Sequence, residues 1–245
     1  MSLHATRAAL ALGAVCAAVN AAPAVAALPR CGFPRVLRRV PNAGRSVALT
    51  FDDGPHPEAT PAILACLNEL GLRATFFVVG EQAVRHPAAA REIVAAGHEV
   101  ALHGHRHLPH ALVPPRLVMR DLARGREEIE AILGGRLGAV RAPFGAASLA
   151  TLRFASRHGL VVAGWSRWGW DWASWATPAS IARCLTRDVG AGDVLVLHDS
   201  DAYAAPGSWR RTAAALPMVA DTLSRRGLAA HRLADMLPRA NGRRP

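Results

Sequence analysis

The chain has 245 residues, 51% of them apolar and 19% charged, with a formal net charge of +11. That apolar content excludes a disordered chain, and the length suits one sizeable core in a single domain. All 29 basic residues are arginine, spread so widely that the densest group is Arg35, Arg38 and Arg39. The charge therefore reads as a solvated face, with acidic glycan or anionic lipid a better match than a nucleic-acid stripe.

Residues 1–26 read as an export signal. Arg7 precedes the apolar run Ala8 to Val19, and Ala24-Val25-Ala26 supplies a small-x-small cleavage site. The run is short and alanine-rich for a membrane-spanning helix. It points to a periplasmic or extracellular protein, tethered to the membrane if the segment is retained. Cys16, Cys31, Cys66 and Cys184 match no zinc or thioredoxin spacing, and buried free thiols are expected.

An approach segment at 27–44 leads into one domain at 45–235, followed by a tail at 236–245. Ser46 to Phe51 predicts a strand. Pro57 to Leu70 carries Ile63, Leu64, Leu67 and Leu70 at helical spacing and stops at Gly71. Ala74 to Val79 is a continuous apolar strand, Glu81 to Ala96 a helix, and Glu99 to Leu102 a short strand. Pro115 to Leu133 predicts a long amphipathic helix. Strands at Leu137 to Val140, Leu160 to Ala163 and Val194 to Leu197 alternate with helices at Leu149 to His158, Pro178 to Val189 and Trp209 to Arg225. Leu228 to Ala230 closes the series. Apolar strands separated by helices of about a dozen residues predict an α/β fold with about seven parallel strands. A distorted or incomplete (β/α) barrel suits this length best, and an open doubly wound sheet is the alternative.

Polar residues recur just past the C-terminal ends of these strands, the edge at which such sheets bind ligands. They are Asp52 and Asp53, then His103, His105 and His107, then Arg141 to Gly145, Trp170 to Trp172, and His198 with Asp199. In Asp52-Asp53-Gly54-Pro55 adjacent carboxylates project differently, so one can ligate a metal while the other handles a proton. His103 and His107, four apart, face one way if the stretch makes a helical turn. With one aspartate they make a two-nitrogen, one-oxygen set that suits zinc and leaves room for water, with cobalt, nickel, iron or manganese as alternatives. His105 reads as a rim residue, His110 as surface, and His56 as a weaker rim candidate.

Together these motifs resemble the polysaccharide deacetylases of the NodB homology type, carbohydrate esterase family 4, over roughly residues 46–231. The resemblance rests on Thr50-Phe51-Asp52-Asp53-Gly54-Pro55, His103-Gly104-His105-Arg106-His107, Arg141-Ala142-Pro143-Phe144-Gly145, Asp171-Trp172 and Leu195-Val196-Leu197-His198. It implies Asp52 as general base and Asp53, His103 and His107 as metal ligands. It also implies that Arg141 holds Asp52, and that Asp171 supports His198 as general acid. The Phe144 backbone N–H would help bind the oxyanion, while Trp172 and Val196 would line the acyl pocket. Gly104 stands where the family has a serine or threonine that braces the loop; such a loss can loosen a ligand and lower metal affinity, but it removes no ligand, so an active site is still expected.

The function implied is metal-dependent removal of N-acetyl groups from a glycan or lipid-linked sugar, releasing acetate. An O-acetyl esterase using the same site, or a glycan-binding protein with a vestigial site, are the alternatives. Trp165, Trp168, Trp170, Trp172 and Trp175 crowd into eleven residues, and Trp168 and Trp170 are expected to face the cleft. Asp199 and Asp201 either bind substrate hydroxyls or cap turns. Nothing in the sequence sets the oligomeric state or the glycan.

Overall fold

The structure is a computed structural model and describes residues 36–237. The expected signal at 1–26, Cys16, Cys31 and residues 238–245 of the tail lie outside the described residues.

The elements are β1 (Ser46–Asp52), α1 (Ala59–Glu69), β2 (Thr75–Val78), α2 (Gly80–Arg85), α3 (Pro87–Ala95), β3 (Glu99–Leu102) and α4 (Pro115–Leu133). There follow β4 (Ala139–Val140), α5 (Leu149–His158), β5 (Val161–Val162), β6 (Arg167–Trp168), α6 (Pro178–Thr186), β7 (Val194–His198), α7 (Ser208–Arg225), β8 (Ala229–His231) and α8 (Leu233–Met236). All named strand pairings are parallel, in the order β5-β4-β3-β2-β1-β7-β6, with β8 also against β1. The sheet curls into an open, incomplete barrel, and β5 and β6 are its unpaired ends. Near that gap Leu37 bridges to Ala163 and Arg39 to Asp193.

Successive strand residues point to opposite faces, and here that alternation decides where chemistry sits. Val47, Leu49 and Phe51 join Phe76, Val78, Val100, Leu102, Leu195 and Leu197 in the cluster beneath the helices. The intervening residues Ala48, Phe77, Ala101, Ala139 and Val194 pack with Val40 and Leu233 in a second cluster inside the barrel. Continuing the same phase to each strand's C-terminal end brings Asp52, His103, Arg141 and His198 inward. Small interior side chains leave room for Phe77 and the fully buried Arg141, whose guanidinium carbon lies 3.9 Å from the Phe77 ring centre.

Four expectations change. The helix expected at Glu81 to Ala96 is two, broken at His86 because Pro87 has no N–H to continue it. The helix expected to reach Val189 ends at Thr186. The tryptophan-rich stretch contributes the short strand β6 beside β7, which its aromatic spacing did not suggest. Cys184 is exposed and Cys66 half-buried, since neither α6 nor α1 turns its cysteine fully inward.

Candidate active site

Asp52 ends β1, and Asp53 follows in the left-handed region at φ 81. Both carboxylates are buried. The Asp53 Oδ1 atom lies 3.4 Å from His103 Nε2 and 3.2 Å from His107 Nε2. Ligand atoms of these three residues all fall within 4.8 Å of one another. Asp53 Oδ1 is buried without a hydrogen-bond partner, a costly state for a carboxylate oxygen unless a cation meets it. The donor set therefore fits a divalent metal.

The histidines converge, but not through the helical turn expected. Residues 103–107 are a loop, and Gly104 at φ +84 bends the backbone. His103 Nδ1 lies 2.9 Å from the Arg141 carbonyl, so it carries the proton and leaves Nε2 free to ligate. Asp121 on α4 accepts the N–H groups of His105 and Arg106 at 2.9 and 3.0 Å. A Cβ at position 104 would lie 2.8 Å from Asp121 Oδ2 and 2.9 Å from the Arg106 carbonyl. Asp121 thus braces the loop, and its carboxylate and the Arg106 carbonyl crowd the place a side chain at position 104 would take.

Arg141 donates from Nη1 to Asp52 Oδ1 at 2.6 Å and to the Thr50 hydroxyl at 2.9 Å, and from Nη2 to the Gly164 carbonyl at 2.9 Å. Asp52 is thereby fixed with its other oxygen, Oδ2, 4.0 Å from His103 Nε2. Across the β1–β7 pairing, Asp52 is in register with His198. His198 Nδ1 lies 3.0 Å from Asp171 Oδ1, and Asp171 Oδ2 accepts the His198 N–H and the Thr212 hydroxyl. Burial opposes protonation of His198, yet Asp171, Asp53 and Asp52 together lift it up to about 10. A bound cation brings that value down by its own charge.

The remaining candidates divide. Trp172 stands edge-on to His198, ring centres 5.2 Å apart. Phe144 adopts φ 59 and sets its exposed ring edge-on against His107 at 4.5 Å. Val196 is buried in the sheet between Thr50 and Trp168. His105 is buried rather than at the rim, 2.8 Å from Glu128 and turned from the ligand cluster. His110 is buried rather than on the surface and meets the Thr151 hydroxyl at 3.0 Å. Burial, with His103 and His107 nearby, pulls it down to about 3. His56 Nδ1 accepts the N–H groups of Glu58, just before α1, and of Ala59, its first residue.

Asp199 is a brace: it accepts the Gly54 N–H at 3.1 Å and the Thr60 hydroxyl at 2.6 Å, holding the turn after Asp53. Asp201 caps its own loop through the Gly207 N–H. Sequence reasoning missed Asp121 and the part played by Tyr203. The Tyr203 ring stacks on His107 at 4.3 Å, and its hydroxyl donates to Glu81. Tyr203 is the only tyrosine in the chain, and that singularity was the one available signal.

Residues 39–163 match the family model for polysaccharide deacetylase. A peptidoglycan-N-acetylglucosamine deacetylase of Bacillus cereus is 31% identical over 191 residues, covering 77% of this chain and 86% of that relative. A chitooligosaccharide deacetylase of Sinorhizobium fredii is 37% identical over 169 residues, covering 66% and 77%. The crystal structure of the Bc1960 peptidoglycan N-acetylglucosamine deacetylase superposes with TM-score 0.77 at 26% identity, covering 84% of this chain and 94% of that one.

Proposed function

The chain belongs to the polysaccharide deacetylase family, and from that premise we propose metal-dependent removal of N-acetyl groups from the amino sugars of a glycan, with release of acetate. N-acetylglucosamine is the favoured sugar, because both relatives are named for deacetylating glycans built on it or on chitin-like oligomers. The carrying observation is Asp53 Oδ1, buried and unpartnered between two imidazole nitrogens.

Asp53, His103 and His107 would hold a divalent cation, zinc by the composition of the set. When bound, such a cation supplies Lewis-acid polarisation of water and of the amide carbonyl. Asp52 is the general base: Arg141 engages Oδ1, so the second oxygen, beside the ligand cluster, takes the proton of the attacking water. His198 is the general acid. Asp171 orients its Nδ1–H and stabilises its charged form, so Nε2 delivers a proton to the departing nitrogen. An amine leaves poorly without that proton, which is why an amide needs both halves of the site. The Phe144 N–H assists the oxyanion, and Trp172 lines the acyl pocket beside His198.

The test is a screen of the zinc-loaded protein against N-acetylated and O-acetylated glycans, with acetate and free amine measured together. Equal release of both from N-acetylglucosamine polymers is expected; acetate without new amine contradicts it and favours an esterase. An export signal at 1–26 would place the activity on glycans outside the cytoplasm, which the N-terminal sequence of protein recovered from the periplasm or medium decides.

A further inference from the structure

Several arginines on the outer helices carry their own counter-ion. Arg124 meets Glu128, Arg126 meets Glu130, Arg210 meets Glu58 and Arg225 meets Asp221. The first two turns of α4 depart from that pattern. Arg116 and Arg120 lie one turn apart on its exposed side, and α5 beside it carries Arg153 and Arg157 at the same spacing. All four line a single groove of about 410 Å³ between the two helices, with Met119 also in its wall. Among the described residues no carboxylate pairs with Arg116, Arg120 or Arg157.

The helices offer little local charge to offset them. α5 contains no aspartate or glutamate, and neither helix has one in its first turn. The first carboxylate of α4, Asp121, is buried and taken up by the N–H groups of His105 and Arg106. The next, Glu127, lies nearly two turns past Arg120. Four guanidinium groups around one concavity raise the local potential and favour an anion there. Two leucines stand in water at the same end of α4. Leu112, in the turn before the helix, is 71% exposed, more than any other large apolar side chain among the described residues. Leu117 is 48% exposed and lies beside Arg120 on the helix surface. Since α4 starts a short loop after His107 and α5 a short loop after Phe144, both begin at the cleft end of the barrel.

We infer that this face of α4 and α5 docks the protein on a membrane surface rich in anionic lipid, with phosphate headgroups in the arginine groove and Leu112 and Leu117 at the boundary of the acyl chains. A guanidinium meets phosphate through two parallel N–H donors, and the groove has room for a phosphate together with the glycerol that carries it. The leucines decide between lipid and a soluble acidic polymer. A free phosphate or a polyuronate gains nothing from an exposed leucine, whereas a bilayer interface takes in apolar side chains beside basic ones. Docked in this way, the cleft end of the barrel lies close to the membrane and within reach of glycan lying against it. The inference goes beyond the deacetylase reading and does not depend on it.

The test is co-sedimentation of the full chain with vesicles of phosphatidylcholine alone and of equal parts phosphatidylcholine and phosphatidylglycerol. The quantity read is the excess affinity for the mixed vesicles, in which any contribution of the N-terminal segment that ignores lipid charge cancels. Arg116→Gln and Arg120→Gln should each lower that excess about fivefold, the effect of one arginine at an anionic surface. Arg183→Gln and Arg187→Gln remove the same charge from a second arginine-lined groove, between α6 and α7, and should lower it much less. Leu112→Ser should weaken binding to the mixed vesicles about tenfold. Thermal unfolding of each variant verifies that it is folded. Equal losses from the two grooves would mean that net charge alone draws the protein to lipid, and would overturn the inference. No preference for the mixed vesicles in the parent protein would overturn it too. Undiminished vesicle binding by Leu112→Ser, with equal affinity for a soluble polyuronate, would assign the groove to acidic glycan and likewise overturn it. None of these outcomes bears on deacetylation, which is read as acetate and amine release without vesicles.

Discussion

Asp52 and Asp53 are neighbours in sequence with opposite fates, and the difference is where each oxygen ends. Arg141 occupies one oxygen of Asp52, whereas Asp53 points an unpartnered oxygen at two histidines. Asp52→Ala and His198→Ala should each lower turnover by at least about 100-fold, the low end for lost acid–base catalysis, while both retain metal. Metal stoichiometry measured beside kcat checks this, and complete metal loss in Asp52→Ala would remove it from the role of base. A second residue-scale prediction concerns Asp199. Burial, with Asp53 nearby, pushes its carboxyl from an ordinary 3.8 up to about 7, against the hydrogen bonds from Thr60 and Gly54. Between those values the folded protein holds a proton that the unfolded chain has lost, so this group makes stability fall as pH rises. In the metal-free protein, Asp199→Asn should flatten that fall, read as the difference in Tm between the two proteins across that window. An unchanged difference would mean Asp199 is ionised throughout. The residues proposed as ligands, base and acid were legible in sequence because each lies at or within a few residues of a strand's C-terminal end, inside a recognisable motif. The bracing carboxylates were not: Asp121 acts from the second turn of a helix whose sequence only announces amphipathicity, and Asp199 read equally as a substrate contact or a turn cap.

Among the elements, the loop that carries His103 and His107 rests on a helix that sequence placed correctly but for another purpose. Pro115–Leu133 was predicted with both bounds right, since a proline start and a glycine stop are local signals. It carries Gly125 in its interior, where glycine ordinarily weakens a helix. In the fold it is the point at which the loop rests on the helix: a Cβ there would lie 2.6 Å from the His105 nitrogen and 2.7 Å from the Gly104 carbonyl. Gly80 meets the same junction, donating its N–H to the Gly104 carbonyl at 2.9 Å. Gly125→Ala should therefore weaken metal binding by about tenfold or more and lower stability by about 1–3 kcal/mol, the cost of overpacking, despite the gain in helix propensity. Titration of metal affinity alongside urea unfolding measures both, and a variant more stable with unaltered affinity would contradict the packing argument. The less legible elements were those set by tertiary contact. β6 consists of Arg167 and Trp168, held by β7, Asp193 and Ser166 rather than by any alternation of its own.

At the scale of the molecule, one alternation runs through the sheet. The strand residues Ala48, Ala101 and Ala139 face the barrel opposite the larger residues that face the helices, so Phe77, a buried arginine and the inward carboxylates and imidazoles share one interior. The parallel α/β class was readable from apolar runs between helices. An incomplete barrel was expected too, but not where its gap falls, because that is defined by which strands lack partners and by bridges at Leu37 and Arg39, contacts between residues far apart in the chain. No helix among the described residues is long and apolar enough to cross a membrane. The central claim is that three buried side chains share one cation on which the hydrolysis depends. The most direct measurement is metal per chain, with acetate and amine release, in the parent protein and in His107→Ala, before and after chelation and zinc return. One metal per chain, activity lost on chelation and restored by zinc, and neither metal nor activity in His107→Ala is the predicted result. Full activity in a protein verified to be metal-free, or an undiminished metal content in active His107→Ala, would contradict it.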